Sequence, residues 1–140
     1  MAQIAWNEKF SVGVAEIDRQ HKRLMTMIND LDEAVTSGQR KDAISRILDE
    51  LIIYTATHFR TEEKYFAQFG YPEGDEHKDE HAVCIKMATK FAKDFNSEIQ
   101  GEKLTALADE LIGFLGIWWK YHILETDLKY APFFREKGLR

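Results

Sequence analysis

Four stretches of this sequence place apolar residues every three or four positions, which is the period of an α-helix that buries one face. The stripes begin at Ile17, Ile44, His77 and Leu104, and a short segment containing a glycine separates each from the next. Four amphipathic helices joined by short links predict an all-α fold, an up-down-up-down four-helix bundle.

The remaining residues are expected to flank this bundle within a single domain over residues 1–140. We expect the bundle over residues 17–128. Residues 1–16 lack a sustained helical period and predict an N-terminal arm, with packing anchors at Trp6, Phe10 and Val12. Residues 129–140 predict a short C-terminal segment whose aromatic side chains cap one end of the core. These aromatic residues are Tyr130, Phe133 and Phe134.

Every histidine of the chain falls on one of the apolar stripes, where an imidazole without a partner is costly. The histidines are His21, His58, His77, His81 and His122. His58 and Glu62 are four residues apart, so on a helix they point two donor atoms at one spot. The same spacing relates His77 and His81. Because the start of one helix lies beside the end of the next in this topology, we expect these donors at one level of the bundle.

A second carboxylate candidate is Asp127, which follows His122 by five residues. Five α-helical steps turn about 500°, so a regular helix would point these two side chains about 140° apart. If Asp127 joins the cluster, the helix is expected to end, bend or bulge after His122.

Neutral imidazoles together with carboxylates suit a transition metal such as iron, and two octahedral ions offer about twelve ligand positions. Five histidines, two bridging carboxylates and one bridging oxo or hydroxo group would leave one position open. A redox-active pair of ions with one open position in an apolar pocket is what reversible binding of a small diatomic molecule requires.

Composition excludes several other functions. The formal net charge of −5 argues against nucleic acid as a partner. No signal peptide is recognisable, and the longest apolar run, residues 111–119, is shorter than the roughly 20 residues that span a bilayer. The single cysteine, Cys84, is expected to be a buried apolar residue and fits a reducing compartment. We therefore expect a cytoplasmic protein without membrane insertion.

The ordered set of motifs H, HxxxE, HxxxH and HxxxxD resembles the hemerythrin family, specifically the bacterial hemerythrins. The segments that carry the resemblance are WNEKFSVGVAEID, EIDRQHKRL, HFRTEEKYF, YPEGDEHKDEH and HILETD. They extend from Trp6 to about Phe133, and all the ligand positions of the family are matched.

The resemblance implies reversible dioxygen binding at a non-haem di-iron centre, in a protein that carries, stores or delivers oxygen and is not an enzyme. The metal ligands it implies are His21, His58, Glu62, His77, His81, His122 and Asp127. The three histidines of the third and fourth helices would hold one iron, and the two of the first and second helices the other. An oxo or hydroxo group, Glu62 and Asp127 would bridge the two ions. An oxygen-consuming enzyme is a candidate for a partner that receives the dioxygen, but the sequence does not identify it.

The resemblance also implies a dioxygen pocket formed by neighbours of the ligands. Its expected lining residues are Leu24, Phe59, Trp118, Trp119 and Ile123. Trp119 departs from the family, where a leucine usually stands three residues before this histidine, and we hypothesise that its indole narrows or gates the dioxygen site. Four acidic residues beside the ligands are predicted to be solvated charges, namely Glu63, Glu76, Asp79 and Glu80.

Two other classes of function remain open. One is a di-iron oxidase, peroxidase or nitric oxide reductase, although the Glu-x-x-His pairs of ferritin-like enzymes and the HExxH motif of zinc proteases are absent from the sequence. The other is a sensor of oxygen or iron, although such domains generally act through an attached output module.

Overall fold

The computed structural model describes residues 4–140, and its secondary structure there is entirely helical. The helices are α1 (Ala15–Thr36), α2 (Lys41–Phe69), α3 (Gly74–Phe95), α4 (Glu102–Trp118) and α5 (Ala131–Glu136). A π-helix (Trp119–Thr126) and a 3-10 turn (Asp127–Tyr130) connect α4 to α5, and a second 3-10 turn (Glu8–Phe10) lies in the N-terminal arm. α1 packs against α2, α2 against α3, α3 against α4, and α4 against α1. The predicted four-helix bundle is confirmed.

The link between α2 and α3 is a tight corner that places the two helices side by side. α2 ends at Phe69 because Gly70 adopts the left-handed backbone conformation, with φ of 69°. Residues other than glycine rarely adopt this conformation. α3 begins at Gly74, where a Cβ atom would lie only 3.2 Å from the Cβ atom of Phe66. The corner thereby brings the end of α2 against the start of α3, where the predicted ligand pairs lie.

Buried apolar side chains form two clusters, the main core and the end cap. The main core fills most of the bundle, and its fully buried members include Leu31, Leu48, Phe95 and Leu111. The end cap consists of Val12, Val14, Ile17, Phe66, Tyr130, Ala131 and Phe134, with Phe133 packed against it. The predicted aromatic cap is therefore confirmed. So are the packing anchors of the arm, because Trp6 and Phe10 pack against the main core and Val12 lies in the end cap.

The predicted ligands lie between these two clusters. On α1, for example, His21 lies between Ile17 of the end cap and Leu24 of the main core. The polar layer is thus enclosed by apolar side chains along the bundle axis. Over residues 4–140, no helix is both long enough and apolar enough to cross a membrane.

Candidate metal centre

The seven predicted ligand residues lie together inside the bundle, and none is more than 4% exposed. α1 contributes one histidine, α2 a histidine and a glutamate, and α3 two histidines; the segment after α4 contributes the last histidine and the aspartate. These residues are His21, His58, Glu62, His77, His81, His122 and Asp127. The structure brings together all the residues that the sequence singled out as ligands.

Their donor atoms form two groups that share both carboxylates. In each group, one atom from every residue lies within 4.8 Å of the others. The larger group consists of His77, His81, His122, Glu62 and Asp127. The smaller group consists of His21, His58, Glu62 and Asp127. The cluster therefore offers two adjacent metal positions with five and four protein donors.

Asp127 faces both groups with different oxygen atoms. Its Oδ2 lies 3.1 Å from Nε2 of His21, whereas its Oδ1 lies 2.8 Å from Nε2 of His77 and 3.1 Å from Nε2 of His122. Glu62 is placed differently, because its Oε1 lies 3.2 Å from Nε2 of both His58 and His81. Its Oε2 accepts a hydrogen bond from the hydroxyl group of Tyr130, which is fully buried.

These distances and the missing hydrogen bonds fit a metal site. Ions that bind nitrogen and oxygen at about 2.1 Å hold neighbouring octahedral ligands about 3.0 Å apart. Each of the seven residues has at least one buried side-chain nitrogen or oxygen atom without a hydrogen-bond partner. In the described part of the chain, Ser45 is the one other residue with such an atom. Buried polar atoms are normally paired, so orphaned atoms that converge on one place indicate that an ion pairs them.

The π-helix explains how His122 and Asp127 reach the same site. In a π-helix the hydrogen bonds join residues five apart, and here the backbone N–H of Asp127 donates to the carbonyl oxygen of His122. Residues five apart then follow one another along the helix, so both side chains face the cluster. The predicted departure from a regular helix is confirmed, although it begins at Trp119, before His122.

Three of the histidines are held by partners that the sequence did not single out as such. Nδ1 of His58 donates to Oε1 of Gln20 at 2.6 Å. Nδ1 of His81 donates to Glu63, and Nδ1 of His122 donates to Glu80, both at 3.0 Å. A proton on Nδ1 leaves the lone pair of Nε2 directed at the cluster, as metal binding requires.

The prediction that Glu63 and Glu80 are merely solvated charges was wrong. Both side chains are partly exposed, yet each accepts a hydrogen bond from a cluster histidine on the next helix. The pattern that would have found them is simple. Gln20, Glu63 and Glu80 are each the direct sequence neighbour of a cluster residue, and each reaches the histidine of the following helix.

The charges inside the cluster oppose the effect of burial. Burial raises the pKa of both carboxyl groups, but their contacts with the histidines outweigh it and hold the pKa of Glu62 and of Asp127 below the usual range. Burial lowers the pKa of His122, but Asp127, Glu62 and Glu80 outweigh it and raise this pKa to about 9. Both carboxylates are thus ionised, and a metal ion would replace the proton that they favour on Nε2 of His122.

The family model described as the Hemerythrin HHE cation binding domain matches residues 12–134. The chain belongs to the hemerythrin family. It is 37% identical over 131 residues to a bacteriohemerythrin of Stenotrophomonas maltophilia, an alignment that covers 94% of this chain and 81% of the relative. It is 31% identical to a bacteriohemerythrin of Methylococcus capsulatus, with 94% and 97% covered. A crystal structure of wild-type hemerythrin superimposes with a TM-score of 0.82 at 28% identity, covering 94% of this chain and 97% of that one.

Aromatic rings wall the larger donor group of this hemerythrin chain. The ring of Phe59 stacks on that of His81, with 3.7 Å between centroids and an interplanar angle of 5°. The ring of Trp118 stacks on that of His122 at 4.7 Å and also contacts Phe59. These stacked rings fix the orientation of two imidazoles.

The smaller donor group is bordered by Trp119, the residue that we hypothesised to narrow or gate the dioxygen site. Its indole is buried and meets the ring of His21 edge-on at 6.3 Å. On its other side lies Phe10 of the N-terminal arm, at 6.4 Å. Leu24 and Ile123, the other two predicted pocket residues, are fully buried in the main core.

Proposed function

We propose that this hemerythrin chain binds dioxygen reversibly at a di-iron centre. The observation that carries the proposal is the unequal division of the donor atoms into groups of five and four that share Glu62 and Asp127. With these two carboxylates and an oxo or hydroxo group as bridges, octahedral ions would be left with one open position, on the side of His21 and His58. A bound iron pair would supply the electrons that dioxygen binding needs.

The residues around the cluster support binding in several ways. Gln20, Glu63 and Glu80 hold the histidines in the tautomer that directs Nε2 inward. The hydroxyl group of Tyr130 donates to Glu62 and orients this carboxylate. Burial raises the pKa of Tyr130 well above its ordinary value, so the hydroxyl keeps its proton and remains a donor.

The character of the donor set favours a carrier or storage protein over an enzyme. Histidines outnumber carboxylates, whereas the ferritin-like di-iron enzymes are carboxylate-rich. Apolar clusters enclose the site on both sides along the bundle axis, which keeps water from a bound diatomic molecule. The cytoplasmic location and a receiving partner such as an oxygen-consuming enzyme stay predictions.

The decisive experiment is a cycle of oxygenation. Purified protein is expected to contain two iron ions per chain. Admitting air to the reduced protein should produce a visible oxo-to-iron charge-transfer band, and removing the oxygen should abolish it over repeated cycles. A band that persists after deoxygenation would favour the oxidase or peroxidase interpretation. A protein without iron would contradict the di-iron centre itself.

Trp119→Leu tests whether the indole restricts access to the smaller donor group. Leucine is smaller, and the indole lies against His21, so dioxygen association and autoxidation are both expected to accelerate severalfold in stopped-flow measurements. Trp6→Leu is the matched control, because the ring of Phe10 lies between Trp6 and Trp119 and Trp6 is therefore farther from the donor group. Unchanged rates in Trp119→Leu would contradict the gating role.

A further inference from the structure

A small cavity of about 20 Å³, here called the core cavity, lies in the main core next to the cluster. Every helix of the bundle contributes the residue one turn from its own cluster histidine, namely Leu24, Thr55, Cys84 and Trp118. Every helix also contributes the residue two turns away, namely Ile28, Leu51, Ala88 and Leu115. At a rise of 1.5 Å per residue, the wall of the core cavity begins about 5 Å from the level of the histidines.

The lining of the core cavity offers little for water to bind. Most of it is aliphatic, and the hydroxyl group of Thr55 already donates to the carbonyl oxygen of Leu51 at 2.7 Å. The thiol of Cys84 is neutral, because burial raises its pKa to about 12. Cavities of this kind stay dry and take up small apolar molecules such as xenon. The ligand class that fits is therefore a small apolar gas.

A larger space of about 500 Å³, here called the outer groove, lies on the outside of the bundle between α3 and α4. Four of the five exposed large apolar side chains in residues 4–140 line it, namely Val83, Met87, Ile117 and Tyr121. Cys84 and Trp118 line both the outer groove and the core cavity. These two side chains therefore form the partition between them.

We propose that the core cavity is a holding site for dioxygen, which enters from the outer groove by passing between Cys84 and Trp118. This rests on the proposed function, since the gas held there is the one that the iron pair would bind. Dioxygen is small and apolar, so its transfer from water into a dry apolar cavity is favourable. Leu24 and Thr55 line the cavity one turn from His21 and His58, the side with the proposed open position.

Two matched substitutions on α3 test the holding site. Ala88→Val adds two methyl groups to the wall of the core cavity, and Ala92→Val makes the same change one turn further along, outside the cavity. In crystals of the iron-loaded protein under xenon pressure, xenon should occupy the core cavity in the wild type and in Ala92→Val but not in Ala88→Val. The xenon site can be read without any iron chemistry.

The kinetic test uses the same proteins. Dioxygen association and dissociation should both slow about tenfold in Ala88→Val, which corresponds to about 1.4 kcal/mol of added barrier, with unchanged equilibrium affinity. Ala92→Val should keep the wild-type rates. Cys84→Leu, which narrows the partition, should slow both rates in the same way and serves as a second variant if Ala88→Val does not fold.

The outcomes separate this proposal from the proposed function. A core cavity without xenon, in a protein that binds dioxygen reversibly, would overturn the holding site alone. Xenon in the cavity together with wild-type rates in Ala88→Val and Cys84→Leu would overturn the route. If xenon occupies the cavity but the iron-loaded protein does not bind dioxygen reversibly, the proposed function fails, and dioxygen is not the occupant.

Discussion

Asp127→Asn is expected to abolish stable iron binding while leaving the helical fold intact. Asp127 is the residue whose two oxygen atoms face different donor groups, so its loss affects both metal positions. Removing only a partner of a ligand typically costs about 10- to 100-fold in metal affinity, and removal of a shared ligand should cost at least that much. Iron content measured after gel filtration should fall well below that of the wild type.

Glu125→Gln is the matched control for this substitution. It removes the same charge two residues earlier, from a side chain that is exposed and outside both donor groups. Its iron content should equal that of the wild type. Asparagine has the shape of aspartate, so circular dichroism should show both variants fully helical. A normal iron content in Asp127→Asn would exclude Asp127 as a ligand of either ion.

Removal of iron by a chelator is expected to destabilise the fold strongly. Without metal, seven buried residues keep donor atoms that lack hydrogen-bond partners. A ligand present at about 1,000 times its dissociation constant stabilises the folded state by about 4 kcal/mol. Domains slightly larger than this chain of 140 residues lose about 2–4 °C per kcal/mol, so thermal unfolding should begin roughly 10 °C lower without iron.

The effect of iron on stability should also depend on pH. Ligation needs neutral imidazole, so protons compete with the metal as the pH falls, and the stabilisation should shrink between pH 7 and pH 5. Differential scanning calorimetry of the loaded protein, the chelated protein and the protein reloaded with iron measures both effects. Equal unfolding temperatures with and without iron at pH 7 would contradict them.

The level at which the cluster lies was predictable because helical periodicity and bundle topology together determine it. His21 and the pair on α3 lie in the first half of their helices, whereas His58 lies in the second half of α2 and His122 follows the end of α4. Antiparallel packing brings these positions to one level. Asp127 was predicted through the resemblance to the family, whereas its spacing from His122 showed only that the helix must depart from regularity if both residues join the cluster.

The hydrogen-bond partners of the histidines were not predictable in this way. Periodicity shows which face of a helix is buried, but it does not give the rotation of a neighbouring helix or the rotamer of a long side chain. Glu80 is about half exposed and still reaches His122 on another helix. The same limit applies to the start of the π-helix, because residues 119–126 contain no glycine or proline that would mark it.

The π-helix after α4 also determines which way the side chains of the following segment face. Relative to an α-helix, a π-helical turn carries one extra residue, so the segment behind it is rotated by about 100°. Asp127, Tyr130 and Phe134 follow at spacings of three and four and share the new face. One extra residue thus rotates the whole following segment. The same rotation turns a carboxylate, the phenol that holds Glu62 and the aromatic end cap toward the interior.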